Sequence, residues 1–310
     1  MNHGLIVVTG PTATGKTKFA VDLADRLNAE IISADSRQVF RGMDLGTGKD
    51  ISEYSSNGKT IPYHLIDILD AGQKYSVYQF QKDFFTAYDS ITKRGKNVVL
   101  CGGTGLYVES IVKNYQMSDV PENPELRKSL ENKSLEELET ILSELKTMHN
   151  STDIDTRNRA IRAIEIATYE KDNPGKSDYP KLNTLIFGVH FERAEIRKRI
   201  TERLKQRIDE GMIDETRKLI ESGVSPDVLI SYGLEYKYIT WLLQEKISYQ
   251  QFFSELNTAI HQFAKRQMTW FRRMERNNIK IHWIDGRLPA EEKVAKAMEI
   301  IGLQENLSTL

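Results

Sequence analysis

Apolar and polar positions along this chain follow two periods, and the places where the period changes divide it. Short, nearly unbroken apolar runs at 5–8, 30–34, 64–69, 97–101, 184–189 and 281–284 have the length and branched content of buried strands. Between them apolar residues recur at three- and four-residue spacing, as in Phe19, Ala20, Leu23, Ala24 and Leu27, or Phe80, Phe84, Tyr88 and Ile91. That spacing lines one face of an α-helix. It predicts helices over 77–93, 194–211, on to 222, 236–241, 249–271 and 291–301. From 121 to 180 the strand-like runs stop, and helices are expected at 124–130, 135–148 and 157–169, with a breaker-rich connector at 173–178. Glycine and polar residues at 42–62 read as a long, mobile loop. The expectation is an α/β fold with a doubly wound, mainly parallel sheet and an inserted helical domain. The core would comprise 1–118 and 181–310, and the helical insertion 119–180.

Composition narrows the class. Charged residues make up 28% of 310, and the mean hydropathy is −0.48. The single cysteine, Cys101, excludes an internal disulfide and a four-cysteine zinc site. No apolar run nears the ~20 residues that span a bilayer, and no secretory leader pattern opens the chain, so a cytoplasmic protein is expected. The net charge of −1 hides segregation. Arg193, Arg197, Lys198, Arg199, Arg203, Lys205 and Arg207 crowd one stretch, and Lys265, Arg266, Arg272, Arg273 and Arg276 another. Either these are solvated helix faces or they form a localised site for a polyanion.

The candidate chemistry begins at Gly10-Pro11-Thr12-Ala13-Thr14-Gly15-Lys16-Thr17, set between the first strand and the first helix. This is the context of a P-loop. Its glycines let successive N–H groups face one anion, and the helix N-terminus adds partial positive charge. Lys16 would neutralise phosphate oxygens, and the Thr17 hydroxyl would sit on Mg²⁺. Asp35 ends the second strand, where it could ligate Mg²⁺, act as a general base or cap a helix. The strand at 97–101 runs into Gly102-Gly103-Thr104-Gly105 with no carboxylate. A nucleotide kinase remains possible, but the same cradle could hold a diphosphate leaving group while a bond to carbon breaks. In Lys265-Arg266-Gln267-Met268-Thr269-Trp270-Phe271-Arg272-Arg273 the cations suit phosphate contacts, and the aromatics suit either base stacking or the core.

Taken together and in order, several segments resemble one family. They are Gly10 through Thr17, Asp35-Ser36-Arg37-Gln38-Val39-Phe40, Gly42 through Lys49, Pro62 through Asp67, Gly102 through Tyr107, Arg159 through Glu165 and Ala264 through Arg272. The chain resembles the bacterial tRNA dimethylallyltransferases. The resemblance implies transfer of a dimethylallyl group from dimethylallyl diphosphate to N6 of the adenosine just 3′ of the anticodon. It implies Asp35 as general base, Thr17 with Mg²⁺, Gly10 through Thr17 on the diphosphate, and Arg203 as a catalytic arginine on that group. It further implies contacts to the tRNA anticodon stem-loop from Asp35, Ser36, Arg37, Gln38, Thr104, Arg127, Asn158, Arg159, Arg162, Gln262, Lys265 and Arg266. A monomer is expected. The chain departs from the family pattern at Gly233-Leu234-Glu235-Tyr236, where the family usually has Gly-Tyr-Lys-Glu. It departs again at Ile260-His261-Gln262-Phe263, and it lacks the family's His-Pro-Asn-Asp run before Arg159. Competing readings are an adenylate isopentenyltransferase, a P-loop nucleotide kinase and a non-catalytic RNA-binding module.

Overall fold

A computed structural model describes residues 4–145, 154–173 and 179–307. The end of the helix expected at 135–148 and most of the 173–178 connector lie outside these residues. The chain divides into two compact units, one of Met1–Asn114 with Pro180–Leu310 and one of Tyr115–Tyr179.

The first unit opens with β1 (Leu5–Thr9), α1 (Lys16–Leu27) and β2 (Ala29–Ser33). A hairpin of β3 (Ser55–Ser56) and β4 (Lys59–Thr60) precedes β5 (Tyr63–His64), α2 (Val77–Lys93), β6 (Asn97–Gly102) and α3 (Gly105–Val112). The second unit holds α4 (Pro124–Leu130), α5 (Leu135–Leu145) and α6 (Arg157–Asp172). The first unit resumes with β7 (Thr184–His190), α7 (Arg193–Asp209), α8 (Met212–Glu221), α9 (Pro226–Tyr232), α10 (Leu234–Leu243) and α11 (Tyr249–Arg276). β8 (Ile281–Asp285) and α12 (Ala290–Leu307) follow.

Six strands form one sheet in the order β5-β2-β6-β1-β7-β8, every neighbouring pair parallel. Runs such as Leu5–Thr9 are buried throughout because helices cover both faces of such a sheet. Phe19, Leu23 and Leu27 of α1 and Val294, Ala297 and Ile301 of α12 pack with Ile6, Val8, Val99 and Phe187 of the sheet. Register decides where the loops emerge. Thr9 pairs with Gly102, and Cys101 with Ser33, so β1, β6 and β2 end level with one another. The loops that leave them, opening at Gly10, Gly103 and Ala34, therefore start at one edge. In a doubly wound sheet that carboxyl edge is where ligands bind.

Three expectations change. The strand read at 64–69 shrinks to Tyr63–His64, because Leu65 and Asp67 take left-handed φ angles of 61° and 55° and break the extended run. The loop at 42–62 is tied down. Lys49, wholly buried, donates to the Phe40 carbonyl at 2.7 Å and pairs with Asp44 at 2.6 Å and with Asp67. Glu215 accepts from the backbone N–H groups of Asp44, Leu45 and Gly46 at 2.8, 2.7 and 3.0 Å. Finally, α9 lies outside the predicted helices; its signal is Ser225-Pro226, an N-cap serine followed by proline at the first helical position.

In the second unit Leu138 and Leu142 of α5 meet Ala160, Ala163 and Ile164 of α6 in a small core. Glu165, on α6, is buried. It accepts from Arg127 Nε and Nη2 at 2.7 and 2.8 Å, from Arg162 Nη1 at 2.8 Å and from the Asn123 N–H at 2.8 Å.

Candidate functional site

The loop after β1 has the backbone that its glycines permit. Gly10 has φ 149° and Gly15 φ 72°, and Ala13 between them is also left-handed at 62°. A side chain on Gly10 would meet the Val189 carbonyl oxygen at 2.6 Å. The Thr14 hydroxyl donates to the Pro11 carbonyl at 2.9 Å, which closes the loop on itself. Lys16 and Thr17 follow as the first residues of α1, where the helix N-terminus concentrates positive potential. Burial pulls the Lys16 ammonium below its usual value and Arg203 adds to that, against the opposing pull of Cys101, Asp35 and Glu53. An anion on the loop would relieve that cost. The Cys101 thiol beneath it is pushed up to about 12 by burial, so it is a neutral packing group.

Asp35 stands just beyond the end of β2 at the same edge. Its Oδ1 accepts from the Arg37 N–H at 2.9 Å, which fixes the turn and orients the carboxylate. The Ser36 N–H donates to Thr104 Oγ1 at 3.1 Å. The charge of Asp35 acts on Lys16, Arg37 and Glu235, which puts these four groups in one electrostatic neighbourhood. Gln38 is buried, accepts from Ser33 Oγ at 2.9 Å and donates to the Gly48 carbonyl at 3.0 Å.

The glycine-rich turn after β6 is shaped by close approach. A Cβ on Gly102 would lie 2.2 Å from the Ala34 oxygen, on Gly103 2.6 Å from Gln267 Nε2, and on Gly105 2.4 Å from Trp270. Gln267 is the one polar residue on the buried stripe of α11, which otherwise runs Phe252, Leu256, Ile260, Ala264, Phe271 and Met274. Its Oε1 accepts from the Thr12 N–H at 2.9 Å and its Nε2 donates to the Gly103 carbonyl at 2.9 Å. One amide thus joins the P-loop to the second glycine turn. The other α11 residues sort by face. Gln262, Lys265 and Arg266 are exposed, Phe271 is buried, and Trp270 packs on Gly105 beneath the Arg273 guanidinium at 4.0 Å. The aromatics take the core role; Lys265, Arg266 and Arg272 face outward, while Arg273 turns in to pair with the buried Glu109 at 2.6 Å.

The basic stretch on α7 also splits by face. Arg193, Arg197, Lys198 and Lys205 are exposed, whereas Arg199, Arg203 and Arg207 turn inward. Spacing of four places these three on one stripe. Arg199 Nε donates to the Ala13 carbonyl at 2.9 Å, and Arg203 Nη1 reaches Thr12 Oγ1 at 3.4 Å. Arg203 and Arg207 both pair with Asp50. Beside them lies a small cavity lined by the polar Thr12, Arg203, Arg207 and Glu235 and by apolar residues that include Ile200 and Met212. Burial raises the pKa of Glu235 against the pull of Arg207 and Arg203.

Sequence reasoning misses Gln267 as a clamp, Arg199 and Arg207 as partners of Arg203, and Asp50 altogether. The first three have readable signals, a polar residue on an apolar stripe and a four-residue arginine repeat. Asp50 has none. In the second unit, Asn158 and Arg159 are exposed, and Arg127 and Arg162 are half-buried around Glu165. Among the described residues no group of three or more His, Cys, Asp or Glu could hold a metal ion.

A glycine-bounded loop opening a helix, at the carboxyl edge of a parallel sheet and faced by arginines, defines an α/β protein of the P-loop class. Within that class the chain belongs to the IPP transferase family, whose model matches residues 38–274. It is 59% identical over 294 residues to tRNA dimethylallyltransferase 2 of Bacteroides fragilis, covering 94% of this chain and 96% of that one. It is 55% identical over 304 residues to tRNA dimethylallyltransferase 1 of Parabacteroides distasonis, covering 98% and 99%. The solved structure of the tRNA isopentenylpyrophosphate transferase of Bacillus halodurans superposes with a TM-score of 0.72 at 32% identity, covering 98% of each chain.

Proposed function

We propose that this chain transfers a dimethylallyl group from dimethylallyl diphosphate to N6 of the adenosine just 3′ of the anticodon in tRNA, releasing diphosphate. Family membership supports the reaction class. The observation that carries the substrate is the pair of α7 arginines turned onto the P-loop, Arg199 on the Ala13 carbonyl and Arg203 on the Thr12 hydroxyl, with the apolar Ile200 and Met212 lining the same cavity as Arg203, Arg207 and Glu235. Cations at an anion cradle with apolar neighbours suit an alkyl diphosphate. β6, one strand that can carry an Mg²⁺-holding carboxylate in P-loop NTPases, runs into Gly102 and Gly103 here and gives phosphoryl transfer no support at that position.

The residues divide the work. Asp35 accepts the N6 proton as nitrogen bonds to the allylic carbon, and the carbon–oxygen bond to diphosphate breaks. The backbone N–H groups of the loop, Lys16 and Arg203 stabilise the charge that develops on the departing oxygen. The hard oxygen donor Thr17, in the first turn of α1, fits Mg²⁺, which when bound adds positive charge to the diphosphate. On the RNA side, the exposed Gln262, Lys265 and Arg266 of α11 supply contacts, as do Ser36, Arg37 and Thr104 at the β2 and β6 ends, with the buried Gln38 fixing that turn. In the helical unit the exposed Asn158 and Arg159 supply contacts of their own, and Arg127 and Arg162, held by Glu165, support that surface. We place the protein in the cytoplasm, as a monomer; no described helix is long and apolar enough to cross a membrane.

Incubation with Mg²⁺, labelled dimethylallyl diphosphate and unmodified tRNA tests this directly. Label should enter tRNA at one adenosine. Label in AMP instead would favour free-cytokinin synthesis, and acceptor-stimulated ATP turnover would favour a kinase. Asp35→Ala should slow transfer by about 10²–10⁴-fold, the usual contribution of a general base, with tRNA affinity kept within a few-fold. A near-normal rate would remove Asp35 from that role.

A further inference from the structure

We propose that Asp50 is a built-in counter-anion for the diphosphate site, one that Arg203 leaves and Arg207 keeps when diphosphate binds. The inference rests on the reading that diphosphate occupies the P-loop.

The backbone delivers Asp50 to the arginines in a fixed position. Lys49, one residue before it, is nailed down by the Phe40 carbonyl, Asp44 and Asp67. Asp50 itself sits in the left-handed region at φ 45°, ψ 50°, sparsely populated for a residue with a side chain. Its carbonyl accepts from the Glu53 N–H at 2.8 Å. Burial opposes ionisation of Asp50, but Arg203 and Arg207 prevail and hold it below the usual carboxylate range.

The two arginines are held differently. Arg207 rests on Gly48, where an added Cβ would lie 2.1 Å from its Nη2, and its side chain is 10% exposed. Both Asp50 oxygens lie 3.2 Å from that Nη2. The segment 48–50 is therefore a seat for Arg207. The Arg203 side chain is 29% exposed and spans two anchors, Thr12 Oγ1 of the P-loop through Nη1 and Asp50 through Nη2. Nη1, already on the Thr12 hydroxyl of the loop, and Nη2, on Asp50, form the paired edge that a phosphate on the loop would engage. For diphosphate to take both, Arg203 leaves Asp50, and Asp50 is not stranded because Arg207 stays. Leaving a half-buried carboxylate unpaired would carry a cost; here the exchange avoids that. Asp50 thus lowers affinity for diphosphate and, on turnover, reclaims Arg203 as the product leaves.

The test is titration of inorganic pyrophosphate with Mg²⁺ into the full chain and its variants. Asp50→Asn should bind pyrophosphate about tenfold tighter, and KM for dimethylallyl diphosphate should fall by a similar factor. A brace with no competing role would give unchanged or weaker binding, and either result overturns the proposal. In the unsubstituted protein, ¹⁵N spectra of arginine side chains provide a readout independent of variant folding. Pyrophosphate should shift Arg203 and leave Arg207 in place; movement of both or of neither overturns it. Lys16→Ala separates the two levels. If it binds pyrophosphate as well as the parent, the P-loop reading fails and this inference with it. If it abolishes binding while Asp50→Asn does not tighten it, only the role of Asp50 falls.

Discussion

Two carboxylates in this chain each hold a pair of arginines, and they do so in opposite ways. Glu165 of the helical unit has a side chain 1% exposed and accepts four hydrogen bonds, three from Arg127 and Arg162 and one from the Asn123 backbone. Asp50 of the P-loop unit has a side chain 32% exposed, and its arginines line a cavity. A closed carboxylate with its lone pairs filled locks its arginines into structure. An open one beside a cavity leaves an arginine able to change partner. Whether an arginine braces or binds is thus decided by the burial of its anion, which charge patterning in the sequence does not report.

The largest expected effect lies on the open side. Arg203→Ala should reduce kcat/KM for transfer by about 10²–10³-fold, the usual cost of removing one donor from a developing oxyanion, while thermal melting moves little. A rate within a few-fold of the parent would make Arg203 another brace and erase the contrast.

On the closed side the effect should fall on stability. Glu165→Gln cuts the charge that gathers Arg127 and Arg162, and should destabilise the helical unit by about 2–4 kcal/mol. Hydrogen exchange across 115–145 and 154–173 would read this, with the P-loop unit unaffected. The pH dependence has a definite sign. Burial works against the Glu165 anion, but hydrogen bonds from Arg127 and Arg162 prevail and hold its pKa down at about 2. An unfolded glutamate titrates near ~4.3. Its stabilising contribution is therefore complete above that value and is lost as pH falls from there toward about 2. Acid unfolding of the helical unit should be shallower in the Gln variant over that window; parallel curves would break the assignment.

Part of this contrast is legible in the sequence and part of it is not. Local signals carry the P-loop, the strand ends and the amphipathic helices, because turn chemistry and periodicity act over a few residues. The repeat Arg199, Arg203, Arg207 is readable as one helical stripe. The pairing of Arg203 with Asp50 bridges 153 positions, and that of Arg127 with Glu165 bridges 38, and no local rule reaches either. The strand expected at 64–69 fails for a related reason: Asp67 turns back to meet Lys49, a contact that outweighs the extended preference of its apolar neighbours.

Gln267 sharpens the comparison from a third direction, since it braces the site without charge. It must accept from the Thr12 N–H and donate to the Gly103 carbonyl at the same time, both at 2.9 Å. A carboxylate can only accept and an ammonium only donate, whereas a side-chain amide does both from one planar group. Gln267→Leu keeps the volume but leaves two backbone groups without that partner, and should cost about 1–2 kcal/mol of stability. Because those groups belong to the two glycine turns that frame the site, KM for the diphosphate should rise as well, by a few-fold. Gln267→Glu separates the two bonds. The Thr12 contact survives, while the carboxylate faces the Gly103 oxygen and is repelled unless protonated. Its folded-state pKa is then raised, so the variant should melt closest to the parent at low pH and fall behind as pH rises. Equal melting at both ends would mean that the Gly103 bond contributes nothing and that the P-loop contact alone fixes the clamp.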